Sequence, residues 1–370
     1  MFNYYQPFIA PFLRKERYQL PSGIRQLYYV SMEDAFWDIL PKKRLRPGAV
    51  ILVPDFYCID VADNIEAHGY RVVLYPVTAH FQVAEQALLK LVKQHQPAAT
   101  ILLHACGIRL SAFSAEIYRQ IQEISPGCLC MEDNVHRLLD PTTVHCYGPN
   151  HLLFDSLRKV SPLPGSFTYG LRSALPFSEP QTHNWHWYRW LALVYFLTFR
   201  CVYVLSELLS WPWLCLVAHE KVLKKHDDLI GDLNVPPAGF WIFRRLHQHF
   251  DFAKVRARKR AQVQEYERLL DLALSQADAK LPVYRVAIPD ADFGELHVYP
   301  IGLKLAAESA QVQRLLRKLH KQGIIIWVKF PDSPWSKRQS VLFMPLGFHV
   351  TEADQARAMS VVFAKLAESL

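Results

Sequence analysis

The sequence predicts an α/β fold in which a mostly parallel sheet is sandwiched by helices and is followed by a small C-terminal α+β domain. Short apolar runs alternate with helical patterns over the first half of the 370-residue chain, as in parallel sheets that are covered on both faces. One of these runs, Cys128 to Asp133, ends in two carboxylates. A hydrophobic content of 51% allows a substantial core, and the length suggests one large and one smaller domain.

The elements of the large domain follow one another in a repeating order. A helical pattern, Ser31 to Leu40, leads through a Pro-Gly pair into a buried strand, Ala49 to Pro54. The alternation continues with helices at Ile59 to Ala67, Ala84 to Gln94 and Ser114 to Glu123, and with strands at Tyr70 to Pro76, Thr100 to His104, Cys128 to Asp133 and Leu152 to Phe154. Ligands bind at the carboxyl ends of the strands in such sheets, so we expect the functional residues there.

The composition changes after Pro236 and Pro237, where we place the boundary between a large domain, residues 1–235, and a small domain, residues 236–370. The small domain begins with a basic helix and continues in the order β-α-β-β-α, which suits an α+β unit. Its predicted elements are the helix Phe252 to Leu274, the strand His297 to Leu303, the helix Ser309 to Gln322, the strands Ile324 to Lys329 and Val341 to Pro345, and the helix Glu352 to Glu368.

The charges and cysteines exclude several classes of protein. The formal net charge is +8, which suits anionic partners, but no nucleic-acid module is recognisable and we expect no nucleic-acid partner. The seven cysteines lack the paired spacing of a metal site, so we expect reduced thiols and no metal. At the N-terminus the charges follow the apolar residues, the reverse of a secretory signal, which predicts a cytoplasmic protein.

A block rich in Trp, Tyr, Phe and Leu, residues 185–217, interrupts the large domain. A membrane-spanning helix needs about 20 apolar residues, and Arg200, Glu207 and Pro212 break this stretch. We therefore favour a pair of buried or dimer-interface helices. A wall of the substrate entrance, a peripheral contact with a membrane and a full span remain alternatives.

Two strand ends carry the candidate chemistry. Asp133 ends the buried strand in CLCMEDNVH, and Lys159 follows the next apolar run in LLFDSLRKV. Successive strand ends of one sheet can bring an acid and an amine to opposite parts of a single ligand. In the alternative interpretation Asp133 caps a helix and Lys159 is a solvated surface residue.

These motifs resemble those of the sugar aminotransferases of the DegT/DnrJ/EryC1/StrS type, which are fold-type I enzymes that depend on pyridoxal phosphate. The segment from Glu132 to His136 is similar to the family's Glu-Asp strand end followed three residues on by Gln or His. The segment from Ser156 to Lys159 is similar to the family's Ser-x-x-Lys. Weaker similarities lie at Arg46 to Pro54, Leu103 to Gly107, His297 to Ile301, Gly323 to Ile324 and Leu342 to Asp354, and only the aromatic block is unmatched after Ser31.

The resemblance implies specific roles around the cofactor. Lys159 is expected to bind pyridoxal phosphate as an imine, Asp133 to meet the pyridine nitrogen, and His136 to lie beside the cofactor's hydroxyl. Such a lysine needs a pKa below its ordinary value of about 10.4, which burial and neighbouring cations provide. Ser156 is expected to contact the cofactor as well.

Two parts of the family's pattern are altered. The phosphate is expected at the helix start of Ser31 and Met32, which is a good anion site on physical grounds, although two acidic residues follow there. The ring-stacking aromatic is replaced by Cys58, with Tyr57 one residue earlier, so either of the two is a candidate to face the ring. For a contact from the partner subunit, Arg244 or Arg245 is the candidate.

The resemblance predicts an aminotransferase that uses a small-molecule amino donor and a keto acceptor, the acceptor being a keto-sugar nucleotide or a related ketone. A homodimer is expected as well. Two alternatives stay open: a pyridoxal-phosphate enzyme with another outcome, such as dehydration or action on a long-chain or lipid-linked substrate, and a non-catalytic relative that keeps the fold.

Overall fold

The computed structural model describes residues 13–161, 163–180, 186–209, 211–230, 238–276 and 281–368, and a seven-stranded sheet forms its centre. Along the sheet the strand order is β1-β7-β6-β5-β4-β2-β3. Strands β2 to β6 are parallel, whereas β1 and β7 run antiparallel to their neighbours. The strands are β1 Ile24–Tyr29, β2 Val50–Pro54, β3 Arg71–Tyr75, β4 Ala99–Leu103, β5 Leu129–Asn134, β6 His151–Asp155 and β7 Ser166–Leu171.

Helices connect the parallel strands, and the central strands are buried on both faces. The helices are α1 Met32–Lys42, α2 Ile59–Ala67, α3 Glu85–His95 and α4 Ala115–Ile124. In β2, Ile51 and Val53 belong to one hydrophobic core, whereas Val50 and Leu52 belong to another with residues of α3 and α4. This alternation reflects the two-residue period of a strand. It explains why the strands read as continuous apolar runs in the sequence.

A helical block follows β7. It comprises α5 Trp187–Leu209, α6 Pro212–Val217, a π-helical stretch Ala218–Leu223 and α7 Lys224–Ile230. The first 20 residues of α5, Trp187–Ser206, are apolar and long enough to cross a membrane by length and composition alone. A short helix, α8 Trp241–His247, then leads to the long helix α9 Phe252–Gln276.

The C-terminal part contains a three-stranded antiparallel sheet in the order β10-β9-β8. Its elements are β8 Val283–Arg285, β9 Val298–Leu303, α10 Ala310–Lys321, β10 Ser340–Pro345 and α11 Glu352–Ala367. Helix α11 begins with a capping box formed by Thr351 and Asp354. One hydrophobic core includes residues of both sheets, for example Met131 of β5 and Ile301 of β9.

Most of the predicted elements are present, and the exceptions have physical reasons. The segment Ile324 to Lys329 is wrong as a strand, because only one bridge, Val328 to Leu342, links it to β10. Ile324 and Ile325 are buried in two different cores, so packing rather than a ladder accounts for their apolar character. The antiparallel strands β1 and β7 and the short β8 were not predicted. The proposed boundary at residues 235/236 lies outside the described residues and stays a prediction.

Candidate functional site

A cleft of about 850 Å³ lies at the carboxyl ends of the central parallel strands. Most of the residues that the sequence singled out line it, although they come from four separate parts of the chain. The cleft is lined by Ser31, Met32, Cys58, His136, Ser156 and Lys159, together with residues of the helical block and of the segment before β10. The alternative of a solvated surface lysine therefore does not describe Lys159.

Lys159 ends a short 3₁₀ turn that follows β6. Its amine makes no hydrogen bond or ion pair with any residue that the structure describes. Burial, followed by the charges of Lys329 and Arg158, lowers the pKa of Lys159 well below its ordinary value. Lys159 is therefore an amine with a lowered pKa that lines the cleft, as suits a lysine nucleophile.

Asp133 lies at the end of β5, one strand away from Lys159 in the sheet, and is fully buried. Each carboxylate oxygen accepts one hydrogen bond, from the Tyr57 hydroxyl at 2.8 Å and from the Val135 N–H at 3.0 Å. Burial raises the pKa of Asp133 above its ordinary value, while these two donors oppose the rise. Since a carboxylate offers about four acceptor positions, Asp133 retains capacity for a further donor.

His136 follows β5 and lies between two rings. The His297 ring stacks on it at 5.9 Å between centroids, and the Phe330 ring at 5.4 Å. Burial, followed by the charges of Lys329 and Lys159, lowers the pKa of His136 well below its ordinary value, so the ring is neutral. Its Nδ1 atom is buried and has no hydrogen-bond partner among the described residues.

The start of α1 forms one end of the cleft. Ser31 is the N-cap, and its hydroxyl accepts a hydrogen bond from the Asp34 N–H at 3.0 Å. The two acids that follow Ser31 are both occupied: Glu33 accepts from the Asn64 side chain at 3.0 Å, and Asp34 forms a buried ion pair with Arg189 of α5. Free N–H groups at a helix start attract anions, so this end of the cleft suits a phosphate.

Tyr57 and Cys58 take different positions, which the sequence left open. Tyr57 is buried beneath the cleft, where it donates to Asp133. Cys58, the N-cap residue of α2, lines the cleft itself. The flat groups that stack at the cleft are instead His136 with Phe330 and His219 with Trp327.

Glu132, the other carboxylate of β5, takes no part in the cleft. It accepts hydrogen bonds at 2.8 Å from Nε2 of both His104 and His151. Each histidine accepts a backbone N–H on Nδ1, from Leu110 and from Tyr147 respectively, so both rings carry their hydrogen on Nε2. Although burial raises the pKa of Glu132, the two histidine hydrogen bonds outweigh burial and hold it below its ordinary value.

The helical block forms one wall of the cleft. Its residues that line the cleft come after the aromatic block in the sequence. His219 and Asp227 line the cleft, whereas none of the described residues of α5 or α6 does so. Asp227 binds Arg158 at 2.9 Å, next to Lys159. The outer side of α5 exposes a row of apolar residues, Trp187, Trp190, Val194, Leu197, Leu205 and Leu208.

Lys329, Phe330 and His219 are among the residues of this cleft that were not predicted from the sequence. The signal that could have found Lys329 was its place at the end of a predicted strand, the same reasoning that identified Asp133. Arg244 lies elsewhere, paired with Glu179 at 2.9 Å beside a separate cavity that is lined by Arg25 and Tyr28. A role for Arg244 or Arg245 in a partner's site stays a prediction.

Comparison with known proteins gives structural matches only. No family model and no curated protein sequence matches the chain. The sugar aminotransferase Spr1654 of Streptococcus pneumoniae is 12% identical, with a TM-score of 0.57 over 95% of this chain and 89% of that chain. PseC of Helicobacter pylori, an aminotransferase involved in the biosynthesis of pseudoaminic acid, is 11% identical, with a TM-score of 0.56 over 93% and 87%.

A DegT DnrJ EryC1 StrS aminotransferase from Brucella abortus is 14% identical, with a TM-score of 0.53 over 91% of this chain and 85% of that chain. These matches confirm the predicted fold, that of the fold-type I transferases. The fold leaves open which chemistry a chain performs, so the activity has to be argued from the residues of the cleft.

Proposed function

We propose that the chain is a pyridoxal-phosphate-dependent aminotransferase of the DegT/DnrJ/EryC1/StrS type that acts on a keto-sugar nucleotide or a related ketone. The observation that carries the proposal is the Lys159 amine, which lines the cleft after β6 without a partner among the described residues, next to the strand end of β5 where Asp133 is buried. Of the matched structures of the same fold, Spr1654 is described as a sugar aminotransferase with PLP and PMP forms, the Brucella abortus protein as a DegT DnrJ EryC1 StrS aminotransferase, and PseC as an aminotransferase.

The residues of the cleft fit pyridoxal phosphate. Lys159 offers a free amine, and Asp133 retains acceptor capacity in a place where burial makes an uncompensated negative charge unfavourable. A protonated ring nitrogen would supply the missing positive charge. The orphaned Nδ1 of His136 fits the cofactor's hydroxyl, and the start of α1 with Ser31 and Ser156 fits its phosphate.

Pyridoxal phosphate, when bound, supplies an aldehyde that takes up amino groups and a ring that withdraws electrons from the neighbouring carbon. Lys159 would hold the cofactor through its amine, and the same amine would act as the base toward the α-carbon proton of an amino donor. Asp133 would hold a proton on the ring nitrogen, with Tyr57 and the Val135 N–H stabilising its carboxylate. The stacked rings of His297 and Phe330 restrict the His136 ring to one orientation.

One observation favours a second candidate, an enzyme of the same chemistry with a lipid-linked or long-chain substrate. The block that supplies His219 to the cleft wall also exposes the apolar row of α5 on its other side. A lipid surface at that row would lie against the element that borders the cleft. The two candidates differ in the acceptor and share the roles of Lys159 and Asp133.

The absorption spectrum of the purified protein tests the proposal. We expect a visible band after addition of pyridoxal phosphate, a loss of that band on addition of an amino donor, and its return on addition of a keto-sugar nucleotide. A band that no amino donor changes would instead favour a relative without aminotransferase activity. Absence of any band in the folded protein would contradict the cofactor itself.

A further inference from the structure

Lys329 is a second lysine at the cleft, and the chain around it holds it in place. Its segment precedes β10, to which it is joined by the Val328 to Leu342 bridge and by a hydrogen bond from the Phe343 N–H to the Trp327 carbonyl at 3.1 Å. The Trp327 ring stacks on His219 with 4.3 Å between centroids. Lys329 therefore lies on a segment that is fixed to β10 and to the helical block.

The next residue, Phe330, fixes the segment on its other side. Its φ is 46°, in the left-handed region that residues other than glycine rarely adopt. Its ring stacks on His136 with 5.4 Å between centroids. A backbone conformation of this kind persists where the surroundings demand it, and functional sites are a common place for it.

The ammonium of Lys329 has no hydrogen bond or ion pair with any residue in the described part of the chain. Its recorded close contact is with the adjacent Phe330 ring, at 5.0 Å from the centroid. The neighbouring guanidinium of Arg158, by contrast, is paired with Asp227 at 2.9 Å. A partly buried ammonium with three donors and no acceptor is suited to a ligand that brings acceptor oxygens.

The electrostatics of the cleft lower the pKa of both lysines, to different extents. The pKa of Lys159 falls well below its ordinary value, first through burial and next through the charge of Lys329. Burial lowers the pKa of Lys329 too, while Cys58 and Asp227 oppose the fall. The pKa of Lys159 is thus lowered further than that of Lys329. Lys329 lines the same cleft as Lys159 and His136, its neighbour Phe330 stacks on His136, and its charge lowers the pKa of His136.

We propose that Lys329 is a positioning and specificity residue that binds the carboxylate of the amino donor beside Lys159. This inference rests on the proposed function. A carboxylate is attached to the very carbon whose amine reacts, so its anchor has to lie near Lys159, whereas the diphosphate of a sugar nucleotide is several bonds removed from the reacting carbon. Arg158 and Lys159 are engaged elsewhere, by Asp227 and by the cofactor, and Lys224 of the cleft wall is exposed to solvent, which leaves Lys329 for this carboxylate.

Equilibrium binding of two non-reacting probes tests the proposal on the protein reconstituted with pyridoxal phosphate. Calorimetry with succinate should show binding that Lys329→Met weakens about 10- to 100-fold, as expected for the loss of one charge-assisted hydrogen bond. Lys329→Arg should keep the affinity within about tenfold, since the charge remains. Lys221→Met, which removes an exposed lysine of the π-helical stretch, is the matched control and should change nothing.

The second probe is uridine diphosphate, whose affinity should be equal in the wild type and in Lys329→Met. If Lys329→Met weakens uridine diphosphate and spares succinate, Lys329 binds a diphosphate and the proposal is wrong. Unchanged succinate affinity in folded Lys329→Met also overturns it. Thermal melting of each variant separates these results from misfolding, and Lys329→Arg preserves the test if Lys329→Met does not fold.

A third measurement concerns Lys159 in the protein without cofactor. Labelling of its amine by acetic anhydride, followed across pH by mass spectrometry, should give a midpoint that Lys329→Met raises by about one pH unit. An unmoved midpoint would show that Lys329 does not reach Lys159 and would count against the proposal. If wild-type Lys159 fails to bind pyridoxal phosphate, the proposed function fails, and this labelling result still decides whether Lys329 acts on Lys159.

Discussion

The Tyr57 hydroxyl donates a hydrogen bond of 2.8 Å to Asp133, so the tyrosine that was a candidate to face the cofactor ring supports the acid from below instead. Asp133 depends in part on this bond, because burial raises its pKa, while the Val135 N–H, the Tyr57 hydroxyl and the charges of His104 and Lys159 oppose the rise. Tyr57→Phe should therefore lower turnover about tenfold and reduce stability by about 1 kcal/mol, the effect of one buried hydrogen bond.

Steady-state kinetics and chemical denaturation of Tyr57→Phe measure the two effects. Retention of the visible band is the control, since Tyr57 does not line the cleft. Cys58 lines the cleft, so replacement of Cys58 by Ala should instead alter the cofactor spectrum and change the free energy of unfolding little. A Tyr57→Phe variant with wild-type turnover would show that the Val135 N–H alone is sufficient for Asp133.

Asp133→Asn should retain pyridoxal phosphate and lose turnover by several orders of magnitude. A neutral amide no longer holds the ring nitrogen protonated, although it can still accept a hydrogen bond from Tyr57. Cofactor content by absorbance and turnover by single-turnover kinetics give the two readouts. Equal activity in this variant would mean that Asp133 serves only to cap the turn at Val135.

Lys159→Ala should abolish covalent attachment of the cofactor, so that borohydride reduction leaves pyridoxal phosphate unattached to the chain. Peptide mapping by mass spectrometry checks the result. Lys329 is a second amine in the same cleft, so the peptide map has to distinguish attachment at Lys159 from attachment at Lys329. Labelling of Lys329 in wild-type protein would contradict the assignment of Lys159, and Lys329→Met is the control that should leave Lys159 labelled.

Glu132 should make the stability of the folded protein depend on pH in the acid range. Its folded-state pKa lies below the ordinary value of 4.5, so the ionised form contributes stability that is fully present above that value. The contribution is lost as pH falls below 4.5 toward the folded-state pKa. Denaturation measured from neutral to acid pH should show this loss in the wild type and a smaller one in Glu132→Gln.

At neutral pH, Glu132→Gln should lower the free energy of unfolding by about 1 to 3 kcal/mol. The NH₂ group of the new amide would face the N–H of His104 or His151, so that two donors would meet without an acceptor. Glu116→Gln is the matched control, since Glu116 pairs with Arg119 on an exposed surface of α4 and such pairs contribute little. Equal losses in the two variants would contradict a specific role for the buried cluster.

The exposed row on α5 should be covered by a second copy of the chain. Trp187, Val194 and Leu208 belong to this row, with Leu208 76% exposed, and together with the exposed Cys201 its members are spaced by three or four residues, as at a helix-helix seam. We expect a homodimer in light scattering, and charged substitutions at Val194 and Leu197 in the row, or at the exposed Trp211 and Trp213 beside it in sequence, should disrupt it. An active monomer would contradict this expectation.

Vesicle sedimentation distinguishes a membrane from a second copy. If the row contacts lipid, the wild-type protein should co-sediment with anionic vesicles, and the Trp211 and Trp213 variants should be released without loss of pyridoxal phosphate. We expect no co-sedimentation. Recovery of the native protein in the membrane fraction, resistant to salt and released by detergent, would favour the lipid interpretation.

The sequence predicted the parts of the site that lie at strand ends, and the structure shows why the rest escaped prediction. Asp133 and Lys159 follow apolar runs that are continuous because both faces of the sheet are buried. Glu132 and Asp133 point to opposite faces of β5, but the sequence does not tell which face meets the cleft. Lys329 was assigned to a strand, and only tertiary packing reveals that its segment turns into the cleft.

The hydrophobic core that includes residues of both sheets has a consequence for the melting of the protein. Met131 of β5 and Ile301 of β9 belong to the same core, so separating the two sheets would expose apolar surface on each. Neither half of a chain cut at residues 235/236 would keep a complete core. The two sheets should therefore unfold as one cooperative unit, with a single calorimetric peak whose van't Hoff and calorimetric enthalpies agree.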